Sequence, residues 1–128
     1  MNMQMTKAMS VYPSRHDNLS ADIDVQCCGR PLDIVKHYKY FGVMLDSDLN
    51  WSAHMAYVAR KISWKIAALQ RAGQKLNHAA KRQYYVSVIQ SDLEYGSNAF
   101  FSSLSALAEK KLTGLYKRAI RAVAGLPP

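Results

Sequence analysis

The chain has 128 residues and is 49% hydrophobic, enough for one buried core and too little for a multi-domain enzyme. Its formal charge of +8 is uneven: residues 1–50 carry five Lys or Arg against six Asp, while residues 51–128 carry twelve against three Asp or Glu. Charge concentrated in one half makes a local field that attracts polyanions, so nucleic acid is the expected partner and an anionic lipid surface the weaker candidate.

In chain order, Ala8 to Tyr12 is β-compatible and Pro13-Ser14 ends it, after which a polar loop runs through Ser20. Asp22 to Cys28 alternates strictly, with Ile23, Val25 and Cys27 on one face, as a half-buried strand requires. Gly29-Arg30-Pro31 is the expected turn. A second extended piece is expected from Lys39 to Leu45, with Phe41, Val43 and Leu45 on one side and Gly42 marking either a close approach or a bulge.

After Asn50 the apolar period lengthens to that of a helix. Asn50 or Ser52 can cap it, Met55, Val58, Ala59, Ile62, Ile66 and Leu69 form its buried stripe, and Gly73 closes it. The opposite face carries Tyr57, Arg60, Lys61, Trp64 and Arg71. Trp64 among cations fits either packing against protein or stacking beside phosphates. Asn77 caps a second helix reaching Tyr95, whose apolar residues cover more than half its circumference, so it is expected at the centre of the bundle. Gly96 to Ser103 reads as a connector. A third helix starts at Ser103 or Ser105, turns Ala108, Leu112, Leu115, Ala119 and Val123 inward and Lys110, Lys117, Arg118 and Arg121 outward, and stops at Gly125. The fold expected is α+β and mainly helical: short N-terminal antiparallel strands over residues 1–50, then a three-helix bundle over 51–128.

Chemistry is sparsely signalled. Cys27 and Cys28 are adjacent, with no further cysteine to build a disulfide framework, which agrees with a reducing compartment. His16, His37, His54 and His78 lack metal-ligand spacing. Asp22 with Asp24, and Asp46 with Asp48, are the nearest approach to a carboxylate pair, and each reads more simply as a strand or turn pair. No catalytic residue and no metal or other cofactor site is assigned. No signal peptide or apolar run of ~20 residues is evident, so the expected location is intracellular, cytoplasmic or nuclear, with no membrane partner.

The segment Tyr38-Lys39-Tyr40-Phe41-Gly42-Val43-Met44-Leu45-Asp46, followed by Leu49-Asn50-Trp51 and His54, resembles the Tyr-Leu-Gly-Val-x-Leu-Asp…Leu-x-Trp…His signature of non-LTR retrotransposon reverse transcriptases. Asn2 to Met9, Gly29-Arg30-Pro31-Leu32 with Val35, Lys81 to Tyr85 and Asp92 to Gly96 extend the resemblance over nearly the whole chain. It implies the palm edge and thumb of an RNA-directed DNA polymerase encoded by a transposable element. Residues Tyr40, Phe41, Gly42 and Val43 would then be a primer grip. Arg60, Lys61, Trp64, Lys65, Arg71, Lys75, Lys81 and Arg82 would hold the template–primer duplex without regard to sequence. The parent enzyme would use Mg, but the Asp-Asp pair that binds it is absent here, so this chain alone is expected to be an inactive fragment that relies on the missing palm and fingers. The competing expectation is a stand-alone basic helical nucleic-acid-binding module with no catalytic role.

Overall fold

The computed structural model describes residues 5–11 and 24–127. Residues 1–4, 12–23 and 128 lie outside it, and with them the first three residues of the Asn2 to Met9 segment, Tyr12 and the polar loop after it, His16, and the Asp22 end of the expected strand. The fold is α+β and mainly helical. Six short strands, β1 (Lys7–Ala8), β2 (Gln26–Cys27), β3 (Arg30–Pro31), β4 (Asp33–Ile34), β5 (His37–Tyr40) and β6 (Val43–Asp46), form three separate pairs. The β2–β3 and β5–β6 pairs are antiparallel, whereas β1 runs parallel to β4, where Lys7 Nζ meets Asp33 at 2.5 Å. The alternation around β2 holds: Val25 and Cys27 are half-buried, while Asp24 and Gln26 are exposed.

Both antiparallel pairs close through two-residue turns that the sequence reading placed differently. Cys28 and Gly29 have φ of 53° and 74°, and Phe41 and Gly42 have 46° and 80°. Positive φ at both central residues is the mark of a type I′ hairpin turn, whose twist matches that of the flanking strands. The first turn is therefore Cys28-Gly29, with Arg30 and Pro31 in the returning strand. The expected single strand from Lys39 to Leu45 folds back on itself at Phe41-Gly42. Gly42 is needed there for its φ, and its open face is covered by the Tyr95 ring.

Helix α1 (Ser52–Ala72) begins with a local arrangement that sequence reasoning missed. Leu49 and Trp51 both adopt left-handed φ, 49° and 63°, a strained choice for residues with side chains. The Asp46 carboxylate holds them there, with Oδ1 accepting from the Asp48 and Asn50 amides and Oδ2 from the Trp51 amide at 3.0 Å. Three charge-assisted hydrogen bonds, made by a carboxylate near the positive end of the helix dipole, offset the strain. Asn50 also contributes as expected, its side chain accepting from the Ser52 amide at 2.9 Å.

The expected stripe Met55, Val58, Ile62, Ile66 and Leu69 is buried, with Ala59 half-buried. A second helical rod comprises α2 (His78–Tyr84), a π-helical stretch over Tyr85–Gln90, and α3 (Ser91–Glu94). Asn77 caps it, its Oδ1 accepting from the Ala80 amide at 2.8 Å. The π stretch changes the phase of the residues after it, so the broad apolar coverage read at a constant 3.6 period does not become one buried face. Among residues 78–94, Ile89 and Leu93 are buried, while Val86 is exposed. Ser87 and Ser91 hydroxyls donate to the carbonyls four residues back, the kind of competing bond that loosens a helix.

The second rod is flanked on two sides, by α1 and by α5 (Ala106–Ala124), but α1 is the most widely shared element, because it packs against α5, the second rod and the β5–β6 hairpin. The stretch read as a connector is also ordered, with α4 (Ser97–Phe100) and a 3-10 turn over Phe101–Ser103, and it delivers the Phe100 ring into the core. Helix α5 is capped by Ser105, turns Ala108, Leu112, Leu115, Ala119 and Ala122 inward, and ends at Gly125 with φ 72°. Trp51 Nε1 donates to Ser103 Oγ at 2.8 Å near one end of the bundle, and Leu69 and Ala122 line one depression near the other. So α1 and α5 run parallel, with the second rod antiparallel to both.

Candidate nucleic-acid interface

A helix advances 100° per residue, which puts Arg60, Trp64 and Arg71 within about 40° of one line along α1. That line faces away from the core. Trp64 is 71% exposed and both arginines are exposed. Arg71 Nε donates to the Ala67 carbonyl at 3.3 Å, laying the guanidinium along the helix. Two cations flank this line that the sequence reading left out of its set. Arg118 of α5 donates to Ser63 Oγ at 3.3 Å, and Lys39 of β5 sits with its ammonium 4.6 Å from the centre of the half-buried Tyr57 ring. The hydrogen bond with Lys39 lowers the pKa of the Tyr57 hydroxyl below its ordinary value. Arg118 was legible as an outward residue of the third helix, but its proximity to α1 is a tertiary fact.

Lys61 and Lys65 lie roughly a quarter turn or more away from that line and are used differently. Lys61 Nζ donates to Asp92 Oδ1 at 2.9 Å; Lys65 pairs with Asp92 Oδ2 and also donates to the Val88 carbonyl at 3.1 Å. Burial pushes the Asp92 carboxyl up, but hydrogen bonds from Lys65 and Lys61 outweigh it and hold it below the usual carboxylate range. The same bond to Asp92 raises Lys61. Lys75 and Arg82 are exposed around the turn between α1 and α2. Lys81 is half-buried and crosses the end of the bundle near Gly73 and Gly125, where the helix ends carry partial negative charge. The eight candidate residues thus divide into an open set, a pair engaged by Asp92, and Lys81 drawn to the helix ends.

The hairpin tip divides as well. Phe41 is 78% exposed and Tyr40 56%, their rings edge to face at 4.5 Å. Val43 turns inward against the core, and Gly96 approaches its side chain so closely that a Cβ there would come within 2.7 Å. Tyr95 fixes the tip by donating its hydroxyl to the Phe41 carbonyl at 2.6 Å. Tyr40 and Phe41 are therefore presented outward on an anchored turn, while Gly42 and Val43 do the anchoring.

No family model, curated protein or solved structure matches this chain.

Among the described residues no converging donor set is seen for the magnesium that the resemblance implies for the parent enzyme. Asp46 is buried with its carboxylate engaged by three backbone amides, and Asp24 accepts from Gln26 Nε2 at 3.0 Å. No group of three or more His, Cys, Asp or Glu converges among the described residues. His54 is packed at the start of α1: its Nδ1 accepts from the Met44 amide at 3.2 Å, and its ring lies 4.9 Å from that of Phe100. Among the described residues no helix is long and apolar enough to cross a membrane.

Proposed function

We propose that the chain is the palm-edge and thumb portion of a non-LTR reverse transcriptase, and that its α1 surface lies against a template–primer duplex. The observation that carries the binding part of this reading is Trp64: a large ring left in solvent between Arg60 and Arg71 on a helix whose other side is fully engaged. Burial of that ring against sugars or bases, with guanidinium groups on phosphates, suits both its apolar area and its charged neighbours. Nothing in this set reads base edges, so binding is indifferent to sequence. The Tyr40–Phe41 pair at the hairpin tip is the corresponding candidate for contact with the primer end. On this reading polymerisation belongs to the palm and fingers that this portion serves, since the Asp-Asp pair of the resembled family does not occur in this sequence.

Anisotropy of labelled duplexes of unrelated sequence, titrated at about 50 and 200 mM salt, tests the reading. The expected result is similar affinity for each sequence and a loss of about tenfold or more between the two salts, as release of two or more counterions requires. No duplex binding at the lower salt, or binding only to anionic vesicles, would reject it. The self-contained core of the helices also suits a stand-alone binding module. Translation of the genomic DNA upstream of Met1 separates the two: an aromatic-x-Asp-Asp coding stretch identifies the polymerase portion.

A further inference from the structure

The β2–β3 turn holds the chain's two thiols side by side, and we propose that Cys27 and Cys28 form a dithiol site for a soft monovalent cation, Cu(I). Adjacent side chains in an extended strand point to opposite faces. The left-handed φ of 53° at Cys28 breaks that rule and brings its thiol back beside its neighbour, with Cys27 Sγ and Cys28 Sγ 4.0 Å apart. Cys28 is exposed and Cys27 half-buried, so an ion can enter from solvent.

The separation suits a bridging ion. Two thiolates each ~2.3 Å from one metal would stand ~3.8 Å apart in a tetrahedral arrangement and ~4.6 Å apart in a linear one. The observed 4.0 Å corresponds to an S–metal–S angle of about 120°, the trigonal value, so little movement of the turn is needed. Closing a disulfide would demand a far shorter separation and an oxidant.

The donor set selects the ion. Two sulfurs, with no third His, Cys, Asp or Glu converging among the described residues, fall short of the four ligands of structural zinc. They suffice for Cu(I), which prefers soft sulfur donors and accepts low coordination. Binding replaces two S–H protons with two Cu–S bonds, releases both protons to solvent and leaves the copper as Cu(I). The complex has one net negative charge. Arg30 stands directly opposite Cys27 in the hairpin register, on the same face, and supplies a compensating positive charge.

The test is an anaerobic titration of the full chain with Cu(I), in competition with a chromogenic Cu(I) chelator, monitored also by thiolate-to-copper absorption in the ultraviolet. One ion per chain is expected, with the apparent association constant rising about a hundredfold per pH unit below the thiol range, because two protons leave. Cys27→Ser and Cys28→Ser should each weaken binding by about 100-fold or more, since each removes a direct ligand. Unchanged affinity in either variant, or a tenfold rise per pH unit, would overturn the site. The Met1, Met3 and Met5 thioethers are a competing soft set; copper lost in a Met1→Leu/Met3→Leu/Met5→Leu chain, yet retained without the cysteines, overturns it equally. Circular dichroism of each variant separates loss of copper from loss of fold.

Discussion

Two neighbouring strips of α1 carry the same kinds of residue and have opposite fates. Arg60, Trp64 and Arg71 stand open to solvent, whereas Lys61 and Lys65, next to them in sequence, are held by Asp92. Counting cations along a helix therefore overstates the field it offers to a polyanion, because one carboxylate on a neighbouring helix neutralises much of the charge of one strip and leaves the other untouched. The angular position of a lysine matters more than its presence.

The sharpest way to break this comparison is to strip the open line. Arg60→Ala, Trp64→Ala and Arg71→Ala together should lower duplex affinity by on the order of 100- to 1000-fold, combining a lost stacking surface with two lost phosphate contacts. Thermal stability should barely change, since exposed side chains away from caps and core contribute within about 0.5 kcal/mol. Anisotropy measured beside a melting curve checks both; a large fall in melting temperature would mean that Trp64 packs on protein and the line is not open.

An opposite pattern is expected where a charge serves the fold alone. Asp46→Ala leaves the amides of Asp48, Asn50 and Trp51 without their acceptor and the left-handed residues Leu49 and Trp51 without their restraint. A loss of about 3 kcal/mol in urea unfolding is expected. Duplex affinity per folded molecule should stay as it was.

How much of this was legible follows from where each signal resides. The stripe from Met55 to Leu69 and the inward row of α5 were readable because a regular helix converts sequence spacing directly into a face. The second rod does lie against both other helices as expected, but its buried face is narrower than the projection implied and α1 is the more widely shared helix, because the π stretch violates the fixed period on which the projection depends. Phe41-Gly42 carried a turn signal only once pairing was known, since the same residues read equally well as a strand with a glycine in it. The roles of Asp46, Tyr95, Phe100 and Asp92 come from contacts with partners distant in sequence or from backbone geometry, which spacing does not encode. At the candidate interface, the placement of Arg60, Trp64 and Arg71 on the face opposite the core was anticipated, whereas the openness of Trp64 to solvent was one of two alternatives, and the capture of Lys61 and Lys65 and the arrival of Lys39 and Arg118 were not anticipated.

The comparison between strips can be inverted with Asp92→Asn. Removing the carboxylate's charge releases Lys61 and Lys65 toward solvent, so the two strips would begin to act as one. Duplex affinity at low salt should rise about tenfold, and the slope of log affinity against log salt should steepen by about one to two units. Stability should fall by about 1–2 kcal/mol, because the pair is only partly exposed and screening discounts the rest. A variant that binds no more tightly would show that the lysines stay turned away from the duplex even when freed.

A smaller effect distinguishes the core beneath α1 from its charged surface. His54 is buried, its Nδ1 accepts the Met44 amide hydrogen, and its Nε2 has no hydrogen-bond partner among the described residues. Burial lowers its pKa from the ordinary value of 6.5. Protonation would give the ring its second N–H, at Nδ1 and facing the amide donor, so the folded state disfavours the imidazolium on geometric grounds too. Because the unfolded chain takes up the proton first, the contribution of His54 to stability is complete above pH 6.5 and declines as the pH falls from there toward the lowered folded value. Asp92 and Asp33 also have lowered values, but their contributions persist until the carboxylate range, below the histidine window. Urea unfolding at a series of pH values between about 7.5 and 5 should therefore show stability falling toward acid. His54→Asn keeps an acceptor near the Met44 amide and removes the titration, so its stability should vary less over that interval. An equal slope in the variant would place the proton uptake on another group.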